Sequence, residues 1–419
     1  MQKSKMKNNM SFFIIIFLII LLDIVSVRGI QKVFPQSCPL RSRNIRHAFI
    51  IQAATSVVIL LIGFIFQKQS SDYRILTCYY YLFGIVTALY MPKSVYALSL
   101  LAERGVSMMH RRYRRRFGKS SRESRHLIAK CGFWTSIFFI FVVLWGILFG
   151  RYQFTVEPVE IAFDNLPQAF DGYKIVQISD VHAGSFAGSA SRLQKVVDLI
   201  NAQKPDLIVF TGDMVNNFAE ELVPLIPIFS QLEARDGKFA VLGNHDYGGY
   251  YDWKTPTDSV TNHKAIEIGI GQMEFVVLKN QSVVINRCYA DIVLMGIENW
   301  GIEKKRPKRG TIEMAMDTVR DIPFKVLLTH DPSFWREKVK GKTDIALTLA
   351  GHTHGMQMGV KLGKRYYTPA PLLGRRHQAG LFQKDKQYLY VNRGLGVIGF
   401  PGRIGMLPEI TVLTLRKEK

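Results

Sequence analysis

Hydrophobic and polar positions divide the chain at Gly150. Before it, four apolar stretches at 11–27, 48–66, 75–91 and 131–150 each approach the length that a bilayer core requires, and they predict four transmembrane helices. The third is interrupted by Pro92 and Lys93, and the apolar pattern then resumes over 94–101, which reads as a kinked extension or an interfacial turn. The first follows Lys3, Lys5 and Lys7 as a signal peptide would. No small-x-small cleavage site follows it, however, so it reads as a retained helix.

After Gly150 the pattern changes to short Val/Ile/Leu runs, at 174–178, 207–210, 239–242, 292–295, 325–328, 345–349, 388–391 and 410–415. Helical periodicity fits 189–202 and 220–232 between them, the first capped by Ser189 or Ser191. Strands alternating with helices predict an α/β or α+β domain over 151–419, set behind a membrane domain over 1–150.

Composition sharpens this division. The 419 residues leave room for two or three domains, and a 48% hydrophobic, 12% aromatic content excludes a disordered chain. The net charge is +22, but 21 basic and 4 acidic residues lie before Gly150 against 34 and 29 after it, so the first part carries +17 and the second +5. Basic charge concentrated among apolar runs reads as membrane topology and anionic-lipid contact, and no nucleic-acid partner is expected. Four cysteines, with Cys288 alone beyond Gly150, leave no thiolate metal site or disulfide framework.

Between the third and fourth apolar stretches, ten basic residues from Arg104 to Lys130 face one acid, Glu123. Such a loop stays cytoplasmic. Counting outward from it, the fourth helix delivers residues 151–419 to the extracytoplasmic side of the membrane, although Lys3, Lys5 and Lys7 then lie outside, against the rule.

The polar residues at the ends of the apolar runs carry the chemistry. Ser179-Asp180-Val181-His182, Thr211-Gly212-Asp213, Gly243-Asn244-His245-Asp246, Thr329-His330 and Gly351-His352-Thr353-His354-Gly355 each follow a run. In an open α/β sheet, ligands bind beyond the carboxyl ends of strands, so these side chains should converge on one edge. Donors converging there with no basic cluster to neutralise the carboxylates call for a cation. Imidazole, carboxylate and amide without thiolate suit manganese, iron or zinc more than a magnesium or calcium cage.

Asp-x-His, Gly-Asp, Gly-Asn-His-Asp, a lone His and Gly-His-Thr-His, in that order after strands, resemble the calcineurin-like metallophosphoesterases over residues 172–355. The most similar subgroup is the bacterial one with N-terminal transmembrane helices, in which a tail like Tyr390-Val391-Asn392-Arg393-Gly394 and Pro408-Glu409-Ile410 also occurs. The resemblance implies a four-layer β-sandwich flanked by helices, with a dinuclear centre at one edge. It further implies that Asp180, His182, Asp213 and His354 hold one of two divalent ions, that Asp213, Asn244, His330 and His352 hold the other, and that Asp213 bridges. His245 would contact the phosphate together with Asn244 and protonate the leaving group, and Asp246 would orient His245. Met356 departs from the second glycine usual after Gly-His-Thr-His-Gly, which bears on the local substrate pocket and not on the metals.

Arg393 and Arg403, in Gly-rich loops, are candidate clamps for a phosphate or head group. His263 and His377 lack motif context and are not expected to be ligands, and residues 304–309 read as a solvated basic loop. Phe400-Pro401, Leu372 and Leu373 are candidate bilayer contacts. The expected activity is hydrolysis of a phosphomonoester or phosphodiester on a small-molecule, lipid or cell-envelope substrate. Two rival readings are a lipid A-type UDP-sugar-lipid pyrophosphatase, which needs a cytoplasmic site, and a non-catalytic metal- or cell-wall-binding membrane protein, whose signature would be a lost ligand.

Overall fold

The computed structural model describes every residue apart from 1, 35–42, 70–72, 118–125, 301–308, 364, 374–375 and 419. It divides into two compact units, one made of Met1–Gln69 with Tyr79–Trp145, the other of Ser70–Cys78 with Gly146–Lys419. The arginines and lysines expected in a basic loop at 304–308 fall outside the described residues.

Helices α1 (Gln2–Val33), α2 (Arg43–Gln69), α3 (Tyr73–Phe117) and α4 (Leu127–Leu148) form the first unit and carry into the second. Among the described residues, Ile14–Val33, Tyr81–Phe117 and Leu127–Tyr152 are long and apolar enough to cross a membrane, and His47–Gly63 is a shorter apolar helix. Of the two readings for 94–101, the helical extension is the one seen: α3 continues through Pro92 to Phe117, 45 residues in all. It therefore absorbs Arg104, Arg111, Arg112, Arg114, Arg115 and Arg116, six of the ten basic residues of the expected loop. Only the one N–H that proline lacks is lost from the helix interior.

Ile19 of α1, Leu60 of α2, and Val86 and Tyr90 of α3 pack as a small apolar core. Beside it lies a polar knot that the sequence pattern did not announce. Asp23 accepts the Tyr90 hydroxyl at 2.7 Å and ion-pairs with Lys93, whose ammonium also donates to Gln52 Oε1 at 2.5 Å. Glu103 of α3 accepts the Ile128 and Ala129 amides at 3.1 and 3.3 Å, so a carboxylate satisfies donors of the first turn of α4.

Among the described residues, the second unit contains fourteen strands: β1 (Thr155–Phe163), β2 (Lys174–Ile178), β3 (Leu207–Phe210), β4 (Lys238–Ala240), β5 (Val276–Val277), β6 (Gln281–Arg287), β7 (Ala290–Gly296), β8 (Lys325–Leu328), β9 (Leu347–Ala350), β10 (Val360–Leu362), β11 (Arg365–Tyr367), β12 (Gly380–Lys384), β13 (Gln387–Val391) and β14 (Glu409–Lys417). One six-stranded sheet has the order β1-β14-β2-β3-β4-β5, the other β12-β13-β9-β8-β7-β6, and β10 and β11 form a separate hairpin. Strands β2 to β5 are mutually parallel, as are β7, β8, β9 and β13.

Alternation along the strands sorts their side chains into layers. Ile175, Leu207 and Val209 from one sheet meet Ile292, Leu294, Val326 and Leu328 from the other in a core between the sheets. Their neighbours Val176, Ile178, Ile208 and Phe210 turn outward under α5 (Gln194–Asn201) and α7 (Pro256–Gln272). On the far side, Val293, Met295 and Leu327 pack with Phe334, Trp335 and Ile312 of the short helix α8 (Ile312–Met316). The result is helix, sheet, sheet, helix, the expected four layers. Burial on both faces explains why the central strands read as continuous apolar runs.

Two expected helices shrink. Residues 189–202 become a 3-10 turn over Ala190–Leu193 followed by α5, and residues 220–232 become a 3-10 turn over Ala219–Leu222 and one turn of α6 (Ile226–Phe229). Pro224 and Pro227 lack the amide hydrogens a longer helix would use. The longest helix of this unit, α7, begins at a reciprocal cap in which Thr255 Oγ1 accepts the Asp258 amide and Asp258 Oδ2 accepts the Thr255 amide, both at 3.1 Å.

Candidate metal centre

The segments leaving the C-terminal ends of β2, β3, β4, β8 and β9 bring together seven side chains: Asp180 and His182, Asp213, Asn244, His330, and His352 and His354. Asp180, His182 and His354 form one group whose donor atoms lie within 4.8 Å of one another, and Asp213, His330 and His352 form a second. Asp213 Oδ2 lies 3.1 Å from His330 Nε2 and 3.6 Å from His182 Nε2, so one carboxylate oxygen reaches both.

Local backbone geometry makes this convergence possible. Asp180, His182, Asp213, His352 and His354 all have positive φ, between 44° and 73°, a region costly for residues with a Cβ. Five such residues in one site mean that the surrounding fold over-determines them. Gly243 is required for a different reason, because a Cβ there would stand 2.2 Å from Asp213 Oδ1 and 2.5 Å from the Asp213 amide.

The potential ligand atoms are aimed at one another, as the ligands of a shared cation are. His182 Nδ1 is engaged by Asn216 Oδ1 at 3.0 Å, which places the proton there and leaves the Nε2 lone pair 3.1 Å from His354 Nε2. His330 Nδ1 donates to the Thr211 carbonyl at 2.8 Å, while its Nε2 faces Asn244 Oδ1 at 3.0 Å, His352 Nδ1 at 3.1 Å and Asp213 Oδ2. Without an ion, a proton takes that role. Burial works against a charged His330, but the Asp213 carboxylate, with Asp180 behind it, raises its pKa to about 10. Burial and the neighbouring His245 hold His182 well below its ordinary value, so it stays neutral. Burial likewise opposes ionisation of Asp213, yet His330 and His245 keep it well below the usual carboxylate range. Two groups of nitrogen and oxygen donors joined by a shared carboxylate fit two divalent cations.

Two expectations about supporting residues change. The Asp246 carboxylate is not the hydrogen-bond partner of His245 Nδ1. It accepts four amides, those of Asp213 at 2.8 Å, Gly243 at 2.9 Å, Met214 at 2.8 Å and Val215 at 3.2 Å, and so clamps the turns after β3 and β4. Burial, then the Asp213 charge, raise its pKa to about 7. The group that orients His245 is the Asn216 carbonyl, 2.7 Å from Nδ1, and the Tyr250 ring stacks on the imidazole at 4.2 Å. Asn244 holds the same tyrosine, its Nδ2 donating to Tyr250 Oη at 2.6 Å.

The second change concerns the arginines. Arg403 is fully buried and gives its guanidinium to the carbonyls of Arg393, Gly396 and Met406, at 2.6 to 3.1 Å, with Nη2 3.4 Å from His354 Nδ1. Arg393 is buried too, paired with Glu409 at 2.6 Å and Glu157 at 3.4 Å. Both brace the loop behind His354, and their charged groups are already committed, which leaves neither as a phosphate clamp. His263 lies outside the two groups, with Nδ1 on the Asp246 carbonyl at 3.1 Å and Nε2 on Glu267 at 3.1 Å. His377 packs edge-on against Trp335 and Phe382.

Asn216 and Glu221 are the residues that the motif reading passed over. Glu221 is buried and accepts the amides of Gly184, Asn216, Asn217 and Phe218 at 2.7 to 3.0 Å, tying the His182 loop to the Asp213 loop. Burial raises its pKa against those four donors. The signal was Asn216-Asn217 placed just after Gly-Asp with an acid four residues on.

A two-sheet fold with two joined donor groups at its strand ends defines a dinuclear-type hydrolase scaffold. The calcineurin-like phosphoesterase family profile matches residues 173–356, and the profile of a probable calcineurin-like phosphoesterase transmembrane domain matches residues 8–151. The uncharacterized metallophosphoesterase YkuE of Bacillus subtilis is 33% identical over 257 residues, covering 60% of this chain and 82% of YkuE. A transmembrane protein with metallophosphoesterase domain from Danio rerio is 27% identical over 71% of this chain and 66% of its own length. The phosphodiesterase YaeI of Escherichia coli is 28% identical over 58% of this chain and 82% of its own. The chain belongs to the calcineurin-like metallophosphoesterases. It is a membrane-associated, metal-dependent phosphoester hydrolase.

Proposed function

We propose that this protein hydrolyses a phosphomonoester or phosphodiester at a dinuclear centre in which Asp180, His182 and His354 hold one ion, Asn244, His330 and His352 hold the second, and Asp213 is shared. The observation that carries this reading is the position of Asp213 Oδ2 between His182 Nε2 and His330 Nε2. When bound, the two ions withdraw charge from the phosphoryl group and activate water for attack, so the chain needs no nucleophile of its own. Imidazole and carboxylate donors without thiolate favour manganese, iron or zinc.

His245 serves the leaving group. Its Nδ1 is committed to the Asn216 carbonyl, which leaves Nε2 as the atom that exchanges a proton. Burial lowers its pKa in the ion-free protein. An anionic phosphoryl group beside it favours the imidazolium, so substrate arrival itself prepares the acid. Asn244 fixes Tyr250 and Tyr250 fixes the His245 ring plane, so metal binding and proton delivery share a scaffold. The presence of a phosphodiesterase among the relatives makes diesters the first substrates to try.

For topology, we propose four membrane passes, with the catalytic unit on the extracytoplasmic side. The ten basic residues between Arg104 and Lys130 support this. A C-terminal phosphatase reporter is then active, and a reporter fused at Ser120 is silent. Metal analysis and turnover of Asp213→Ala test the centre: two ions per chain with normal turnover would overturn it.

A further inference from the structure

The hairpin of β10 and β11 is inside out. Its register pairs Val360 with Tyr367, Lys361 with Tyr366, and Leu362 with Arg365. Alternation therefore puts Val360, Leu362, Arg365 and Tyr367 on one face and Lys361 and Tyr366 on the other. The second face is the one turned to the protein: Lys361 Nζ pairs with Glu157 at 2.7 Å, and the Arg393 guanidinium lies 4.5 Å from the Tyr366 ring centre. The apolar face looks outward, with Val360 55%, Leu362 63% and Tyr367 53% exposed, and Leu372 just beyond is 89% exposed. A hairpin facing only water has the opposite pattern.

Its surroundings name the occupant of that face. Gly359, at the base of the hairpin, donates to the Ile404 carbonyl at 2.9 Å, and the adjoining Arg403 amide donates to the carbonyl of Gly146 at 3.0 Å. Gly146 belongs to the last turns of α4, a helix long and apolar enough to cross a membrane. Two hydrogen bonds thus link the hairpin to the emerging end of that helix. Residues 360–376 contain five Lys or Arg and no Asp or Glu, the charge that complements an anionic lipid surface. At this same end, the hairpin follows Gly-His-Thr-His closely, with only residues 355–359 between His354 and β10.

We propose that the outward face of this hairpin, through Val360, Leu362 and Tyr367, inserts into the interfacial layer of the bilayer that α4 crosses, and that the adjoining metal centre thereby acts on a phosphoester carried by an amphiphile resident in that bilayer. The insertion stands on the hairpin alone, whereas the substrate class rests on the reading of the centre as a phosphoesterase. Apolar side chains beside basic ones are the composition of interfacial anchors. The committed arginines behind His354 leave head-group recognition to the metal ions and to the exposed Arg365 and Arg376.

The test uses the full chain, with its four cysteines replaced by serine, reconstituted in phosphatidylethanolamine vesicles containing phosphatidylglycerol. A nitroxide attached through Leu362→Cys is expected to be accessible to dissolved oxygen and shielded from a water-soluble nickel relaxant. The same label attached through Tyr289→Cys, on the turn at the opposite end of β7, is expected to be fully open to nickel. Equal nickel access at both sites overturns the insertion, whatever the enzyme's activity. For the substrate class, hexadecyl p-nitrophenyl phosphate is compared with ethyl p-nitrophenyl phosphate, which has the same leaving group and reaction. The chain is expected to prefer the hexadecyl ester by roughly tenfold or more, and Val360→Ser/Leu362→Ser/Tyr367→Ser is expected to lose that preference while keeping ethyl ester turnover within about twofold. An unchanged preference in the triple variant overturns the proposal. Failure of the unmodified chain to cleave either ester sinks the phosphoesterase reading instead, and the nickel measurement still decides the insertion.

Discussion

Between α1, α2 and α3, an ammonium meets a carboxylate: Lys93 and Asp23 pair, and Tyr90 and Gln52 complete their hydrogen bonds. At the strand ends of the second unit, by contrast, one potential ligand atom faces another, as in His182 Nε2 opposite His354 Nε2 at 3.1 Å. Both regions bury polar groups, and in both the cost of desolvation has to be met. The helical cluster meets it internally and so holds helices together. The strand-end cluster needs charge from outside the chain, and such a cluster is built to hold something. The difference separates a structural use of buried charge from a catalytic one.

The largest break in this contrast comes from Asp213. Asp213→Ala removes the one carboxylate common to both groups, and turnover on any phosphoester is expected to fall by about 10³-fold or more. A loss of less than about tenfold, measured with p-nitrophenyl phosphodiesters, would show that the two groups work separately.

His245→Ala sharpens the contrast within the site, because it leaves every metal donor in place. Metal content should be unchanged, while turnover drops by about 10²- to 10⁴-fold on alkyl phosphoesters and much less on p-nitrophenyl esters, whose leaving group needs little protonation. Equal losses on the two ester types would leave His245 with phosphate positioning only.

On the helical side, Lys93→Met strands the Asp23 carboxylate. The membrane unit should lose about 3–5 kcal/mol of stability in detergent, whereas the double change Asp23→Leu/Lys93→Leu should be close to neutral. Neither should alter p-nitrophenyl ester turnover below the unfolding temperature. A turnover loss in the double variant at full stability would mean that this cluster has work beyond holding helices.

The smallest effect is a pH dependence. His330 is raised to about 10 in the ion-free protein, above its ordinary value near 6.5. Its pairing with Asp213 therefore contributes stability that is fully present below about 6.5 and is lost as pH rises through about 10. An ion that takes the second group must displace that proton. Uptake should release a proton near neutral pH, and ion affinity should rise with pH across this window. Calorimetry in buffers of different ionisation enthalpy reads the proton directly, and no release would remove His330 from the second group.

The seven donors were legible because each sits immediately after an apolar run, where the parallel strands of an α/β fold deliver polar side chains to one edge. The four layers were legible from continuous apolar runs for the same reason. What escaped notice depends on contacts distant in sequence. Arg403 reads as a surface loop arginine because arginine is seldom fully buried, and only the fold shows the carbonyls that receive it. Asn216 reaches His182 with its side chain and His245 with its carbonyl, neither a neighbour in sequence. Pro92 left a kinked extension and an interfacial turn both open, and the helix continues, since packing against other helices outweighs one missing amide. The β10–β11 hairpin escaped because its strands have three residues each, too short for a period to register.

The central claim is that the two donor groups form one centre through Asp213. Electron paramagnetic resonance of the full chain loaded with manganese tests it most directly, because two Mn²⁺ ions sharing a carboxylate are exchange-coupled. The account predicts a coupled multiline spectrum at two ions per chain, replaced by an uncoupled six-line spectrum in Asp213→Ala. Two uncoupled six-line signals in the unmodified chain, or saturation at one ion, would contradict it.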